Sequence, residues 1–295
     1  MNFRIELYKI FNTVATFQSI SKAANELFMT QSAVSQAIKQ LETSIDMVLF
    51  NRTAKGVELT EAGVTLYKYT SSAMELLDTG LHKLESLKDL EEGELKIAAS
   101  DTISMYYLAP RLEKFHKMYP NIKIQIINRV TSESIDLLKR GKVDIAFGNL
   151  PFRDDSLHFK KCMTVHDTCV AGSDFFDKKN KIFSRADISK FQLIMLEKKS
   201  NSRKYVENAF LESGQKLNVC IELGAHDVLL HLAKINLGIS CVIKEFSENY
   251  LKDGSLFELK QKNPIPERAI GFCYLKNLLL TPAMKAFMTF LDSDC

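Results

Sequence analysis

Four soft ligands stand close together in HFKKCMTVHDTC: His158, Cys162, His166 and Cys169. Imidazole nitrogens and thiols in one cluster suit zinc or copper, and an exposed thiol among them could instead answer an oxidant. The element that carries them decides. Thr164, Val165, Thr168 and Val170 favour a strand, and at about 3.3 Å per residue a straight strand holds His158 and Cys162 roughly 13 Å apart, too far for one ion. No metal and no cofactor is therefore expected. Sensing of oxidants or metals through Cys162 and Cys169 stands as the alternative to their reading as small packing groups. Cys220, Cys241, Cys273 and Cys295 complete a set scattered over the second half of the chain, the pattern of free thiols in a reducing compartment rather than of a disulfide framework.

A second set is polar rather than nucleophilic. From Thr30 onward, Val34, Ala37, Ile38, Leu41 and Ile45 recur at helical spacing, and Ser32, Ser35, Gln36, Lys39 and Thr43 share the opposite arc. Side chains of that size reach base edges or phosphates, although such an arc is more often a merely solvated face. The elements around it favour DNA. Phe3, Leu7, Ile10, Phe11, Val14 and Phe17 predict a helix from Asn2 to Phe17; Ser21 caps a short second helix with Ala23, Ala24 and Leu27 inward; after the turn Phe28-Met29, Thr30 caps the third. Two helices so joined make a helix-turn-helix, whose second helix enters the major groove N-terminus first. LFNRTAKGVELT then reads as two short strands about a turn containing Gly56, a wing that presents Arg52 and Lys55 to phosphates.

From Thr60 a helical run continues to Gly93, with Met74, Leu77, Leu81 and Leu84 at alternating spacings of three and four, the seam of a two-stranded coiled coil. Beyond it the period changes twice to strand-helix-strand-helix-strand, over 95–147 with a first helix from Tyr106 to Met118, and again over 193–242 with a first strand from Leu193 to Leu196, followed by a strand Ala269 to Tyr274 and a helix Pro282 to Leu291. Two such units imply two parallel-sheet lobes, and ligands of open α/β sheets sit beyond the strand ends. The residues there are Ser100, Asp101, Thr102, Thr131, Ser132, Gly148, Asn149, Ser200, Asn201, Ser202, Arg203 and His226. Hydroxyls at helix starts serve first as caps, but several converging on one cleft suit an anionic guest, with Arg203 or Arg129 as counter-charge.

The rest of the composition excludes more than it assigns. At 295 residues, 46% hydrophobic and 25% charged, the chain allows about two folding units. Its 39 basic and 36 acidic residues give a net charge of only +3, so DNA binding rests on placement, not on bulk charge. The N-terminus reads as an amphipathic helix rather than an export signal, and no apolar run approaches the roughly 20 residues of a membrane span, so a cytoplasmic protein is expected. No GxGxxG, GxxxxGK[ST], HExxH or GxSxG occurs; an enzyme is not expected, and a stand-alone solute-binding protein is disfavoured by the N-terminal module.

The stretch from FNTVATFQSISKAANELF through TQSAVSQAIKQLE and LFNR to LTEAG closely resembles the DNA-binding domain of LysR-type transcriptional regulators, in order and without gaps. ELKIAASDTISMYYLAPRLEKFHKMYPNIKI, GKVDIAFGNL and HDVLLHLAKINLGISCV resemble the family's effector domain, itself similar to periplasmic solute-binding proteins. The resemblance implies an α/β protein with a winged helix-turn-helix over 1–60, a dimerising linker helix over 61–92 and an effector domain over 93–295, in which lobe I (93–162 and 267–295) and lobe II (163–266) are linked by crossings near Met163 and Pro266. It places base contacts on Gln31, Ser32, Ser35 and Gln36, and implies double-stranded DNA, a small-molecule effector and a homodimer or homotetramer as partners. Ser32 stands where proline is common in the family, and Asn236 where glycine is common, a departure expected to affect only a turn.

Overall fold

The apolar stripes of the first 60 residues meet in one core. Phe11, Val14, Ala23, Val34, Leu41 and Leu49 are buried together, which holds α1 (Ile5–Phe17), α2 (Ile20–Glu26) and α3 (Gln31–Ile45) against one another. The structure, a computed structural model, describes residues 4–53, 56–86, 93–150, 154–276 and 280–293. Thr30 caps α3 as expected, its hydroxyl oxygen accepting from the Ala33 amide. Ser19, not Ser21, caps α2, because the helix starts at Ile20 and takes Ser21 into its first turn. The wing strands β1 (Phe50–Thr53) and β2 (Gly56–Leu59) pair antiparallel. Two contacts fix the wing. A Glu42 carboxylate oxygen accepts from the Leu49 amide at 2.7 Å and from Phe50 at 3.3 Å, and the Val57 amide donates to the Gln18 carbonyl. A side chain at Gly56 (φ 141°) would come within 2.4 Å of that carbonyl oxygen, so only glycine lets β2 lie against the end of α1.

Thr60 caps α4 (Glu61–Ser86) by accepting from the Gly63 amide. Leu66, Tyr67 and Met74 of α4 pack on the helix-turn-helix core, and Thr70 donates to the Asn12 side chain at 2.8 Å. Met74 therefore faces its own domain rather than a seam. Leu77 and Leu81 project away, 50% and 62% exposed. Lys55, Cys295 and the side chain of Leu84 lie outside the described residues.

The residues from Ser86 form a second unit. Its first run is β3 (Glu94–Ala99), α5 (Asp101–Ile103), a π-helical turn Ser104–Leu108, α6 (Ala109–Met118), β4 (Lys123–Asn128), α7 (Thr131–Lys139), β5 (Ile145–Asn149) and β6 (Leu157–Val165). The helical segment starts five residues before the expected Tyr106; the wide turn precedes Pro110, which has no N–H to continue a regular ladder. The second run is β7 (Asp167–Ala171), β8 (Ile182–Phe183), α8 (Arg185–Ile188), β9 (Leu193–Leu196), α9 (Asn201–Leu211), β10 (Val219–Leu223), α10 (His226–Lys234), β11 (Ile239–Ile243), α11 (Glu248–Lys252), β12 (Phe257–Glu258) and β13 (Lys260–Gln261). Then β14 (Arg268–Leu275) and α12 (Pro282–Ser293) close the chain.

Two five-stranded sheets result, ordered β4-β3-β5-β14-β6 and β10-β9-β11-β7-β12. In the first, β3 runs parallel to β4 and β5 whereas β14 is antiparallel to β5 and β6, so the C-terminal segment returns to lobe I. Met163, Thr164 and Val165 still pair with β14, which moves the outward crossing from Met163 to His166; the return falls at Glu267. Asn236 adopts the left-handed conformation (φ 64°), its side-chain oxygen accepting from the Asp174 amide and its amide donating to Ser173. Asparagine tolerates this backbone, and its side chain ties the turn to the segment that follows β7. Among the described residues no helix is long and apolar enough to cross a membrane.

Candidate functional site

Two surfaces carry the residues singled out above. On α3, Gln31, Ser32, Gln36 and Lys39 are exposed and Ser35 is partly so, while Val34, Ala37, Ile38 and Leu41 anchor the opposite face. Thr30 is taken up by its cap and by a 3.0 Å hydrogen bond with Ser32, which pre-orients the Ser32 hydroxyl at the first turn. Arg52 is exposed on β1. The turn leaves Phe28 98% exposed at φ 54°, a left-handed residue that reverses the chain between the two helices.

In the second unit, strand ends and helix starts surround a cavity of about 440 Å³, a size that takes a small metabolite. Ser100, Asp101 and Thr102 precede or open α5, Thr131 opens α7, Asn149 ends β5, Ser200 and Ser202 stand at the start of α9, and Ala225 precedes α10. The positive ends of α7, α9 and α10 thus meet at one place. The sequence-based set divides here. Ser200 is partly committed as the α9 cap, and Thr131 accepts from the Asn149 amide at 3.3 Å, packed so tightly that a side chain at Gly148 would clash with it. Ser132 is exposed and does not line the cavity.

Arg203 and His226 do not reach the cavity. Arg203 lies one position round α9 from Ser202, which turns it into lobe II, where its guanidinium donates to the Leu196 carbonyl and pairs with Glu207 at 2.7 Å. His226 is buried behind the wall, Nε2 accepting from the Ile243 amide at 3.1 Å. Desolvation by burial pushes its pKa down to about 4, Arg268 adds to that, and Asp227 opposes it. Arg129 is exposed and turned to Asn128 and Glu133. Among the described residues no lysine or arginine lines the cavity, whereas Asp101 and Glu197 do.

Asn201 lines the cavity as its place past a strand end predicts; Asn128 and Glu197, which also line it, lie outside the sequence-based set although the strand-end rule alone would have found them. Arg268 was missed for a different reason. It lies behind the wall, fully paired with Asp167, Asn149 and Ser202, and its sequence signal was only its place between the expected return crossing and the following strand. His158 and Cys162 lie on β6, His166 at the crossing and Cys169 on β7, so the histidine and cysteine cluster is spread along extended chain as the strand reading required. Cys169 sits in the lobe II core with its sulfur 3.5 Å from that of Cys241. His166 lies against Glu245 at 2.6 Å and Glu267 at 3.5 Å; the Glu245 hydrogen bond raises its pKa.

Residues 5–64 match the family described as bacterial regulatory helix-turn-helix protein, lysR family, and residues 88–295 match the LysR substrate binding domain. The chain is 28% identical over 295 residues to the RuBisCO operon transcriptional regulator of Allochromatium vinosum, covering 100% of this chain and 97% of that one. It is 29% identical over 268 residues to a probable RuBisCO transcriptional regulator of Thalassiosira pseudonana, covering 85% and 84%. Among solved structures, full-length CbnR in complex with its target DNA superposes with a TM-score of 0.65 at 17% identity, over 99% of this chain and 100% of that one. CrgA of Neisseria meningitidis, a LysR-type transcriptional regulator, does so at 0.60 and 21%, over 99% of both.

Proposed function

The chain belongs to the LysR family of bacterial regulators, and from that premise we propose that it reads an operator as a dimer through α3 and the wing, under control of a small carboxylate-bearing metabolite held between the lobes. It is a DNA-binding transcriptional regulator with an effector-binding domain. The observation that carries the metabolite reading is the convergence of three helix N-termini and the neutral donors of Ser100, Thr102, Asn149 and Ser202 on one cavity of about 440 Å³. With no lysine or arginine among the described residues of the wall, a carboxylate is received by these donors. Asp101 and Glu197 suit a second, donor-bearing end, so hydroxy and amino acids fit best.

The test is a thermal-shift panel of small mono-, di-, hydroxy- and aminocarboxylic acids. The acid that stabilises the wild type is expected to bind the double variant Thr102→Val, Ser202→Ala at least tenfold more weakly. Equal affinity would place the pocket elsewhere, and a response confined to oxidants or metal ions would favour sensing by cysteines.

On DNA, Gln36 reads bases and Arg52 holds the backbone. Gln36→Ala should cost about 1 to 3 kcal/mol at one position of the site, whereas Arg52→Ala should weaken all sequences alike and reduce the salt slope by about one. Binding titrations across a set of single-base operator variants separate the two; unchanged sequence preference in Gln36→Ala would remove its role. Leu77 and Leu81 pair the α4 helices of two copies, so each recognition helix need not bind tightly alone.

A further inference from the structure

We infer that Arg268 is a positioning residue of the cleft, setting which hydrogen-bonding groups its two walls present and how the walls are tied together. The inference rests on the reading of the cavity as the effector site. Arg268 is the first residue of β14, after the return crossing, and Asp167 the first of β7, after the outward one. Both are buried. The guanidinium grips the carboxylate in bidentate fashion, Nε to Oδ2 at 2.5 Å and Nη2 to Oδ1 at 2.8 Å, so one ion pair fastens the two crossing segments to each other.

The remaining donors face the cavity wall. Nη2 donates to Ser202 Oγ at 3.0 Å and Nη1 donates to Asn149 Oδ1. A guanidinium only donates. Ser202 and Asn149 are therefore used as acceptors on its side, which leaves the Ser202 hydroxyl hydrogen and the Asn149 amide hydrogens for other partners. Both residues line the cavity, Asn149 from lobe I and Ser202 from lobe II. One cation behind the wall thus turns a donor from each lobe toward the guest. A guest that accepts from both joins the lobes through groups already held by one side chain. The Tyr205 ring, 5.7 Å from the guanidinium carbon, covers its free flank.

Lysine at this position keeps a charge for Asp167 but cannot fork to Asn149 and Ser202 together. The experiment is hydrogen exchange with mass spectrometry on the full-length chain without any ligand, comparing wild type, Arg268→Lys and the pair Asn149→Ala, Ser202→Ala. Amides at the end of β5 and the start of α9 should exchange about tenfold faster in both variants, while β3 and β11 keep wild-type protection. Wild-type exchange at β5 and α9 in Arg268→Lys, or acceleration spread evenly over both sheets, overturns the assignment. Should Arg268→Lys not fold, the alanine pair, which leaves the ion pair intact, gives the same reading: local acceleration supports it and wild-type exchange overturns it. The acid selected by thermal shift should also bind Arg268→Lys at least tenfold more weakly, and equal binding would again overturn it. If no acid binds the wild type, the effector reading fails while the exchange result still judges Arg268.

Discussion

Aspartate in place of Leu81 should leave the protein monomeric. Leu81 and Leu77 are half or more exposed on α4, whereas Tyr67, Thr70 and Met74 bind the same helix to its own domain. The variant therefore changes nothing in the helix-turn-helix core. In a paired helix the two copies of Leu81 bury each other, and each introduced carboxylate would cost several kcal/mol on losing water without a partner. A micromolar dimer is held by about 8 kcal/mol, so two such groups are enough to separate it. Sedimentation at low micromolar concentration checks this, with circular dichroism confirming that the fold is kept. A dimer that survives would move the interface off α4.

Acidification from pH 6.5 to 4 should cost the effector domain about 3 kcal/mol through His226 alone. Its unfolded value is 6.5 and its folded value about 4, so between these limits the unfolded chain binds the proton and the folded one does not. Stability is full above 6.5 and falls as the pH drops through that window, at about 1.4 kcal/mol for each unit of difference. Protonation would also remove the lone pair that accepts from the Ile243 amide. His166 acts in the opposite direction, since Glu245 raises its pKa, but it is half exposed and contributes less. The check is urea unfolding of wild type and His226→Gln at pH 7 and pH 4.5, because glutamine can still accept from Ile243. The two should converge at the lower pH; a constant gap between them would show that His226 does not titrate in this window.

Periodicity made most of the fold legible. The strand over 193–196 and the helix starting at Pro282 fall where their patterns placed them, because both kinds of stripe face a core. Boundaries moved where a local hydrogen bond or an absent donor outweighed the stripe, as at Ser19 and ahead of Pro110. The cavity wall was half legible. Ser100, Asp101, Thr102, Thr131, Asn149, Ser200 and Ser202 line it, since their positions follow from topology alone. Arg203 and His226 do not, because the side on which a helical residue points depends on one step of about 100°, which a strand-end rule does not resolve. Met74 shows the same limit on α4, where its spacing fits a seam but its contacts lie in the domain core. Arg268 was least visible: its partners come from three separate elements, and no local pattern brings Asp167, Asn149 and Ser202 together.

The strand order of lobe I also governs when that lobe can form. β14 lies between β5 and β6, yet it is separated from them in sequence by the whole of lobe II. As the chain leaves the ribosome, the helix-turn-helix domain and then lobe II can complete their cores while lobe I waits with β6 lacking its described sheet neighbour and β5 exposing an open edge. Such edges invite pairing with other chains until the last segment arrives. A ribosome that stops before Arg268 would release a species with those edges open, so β14 acts on folding as much as on the finished sheet.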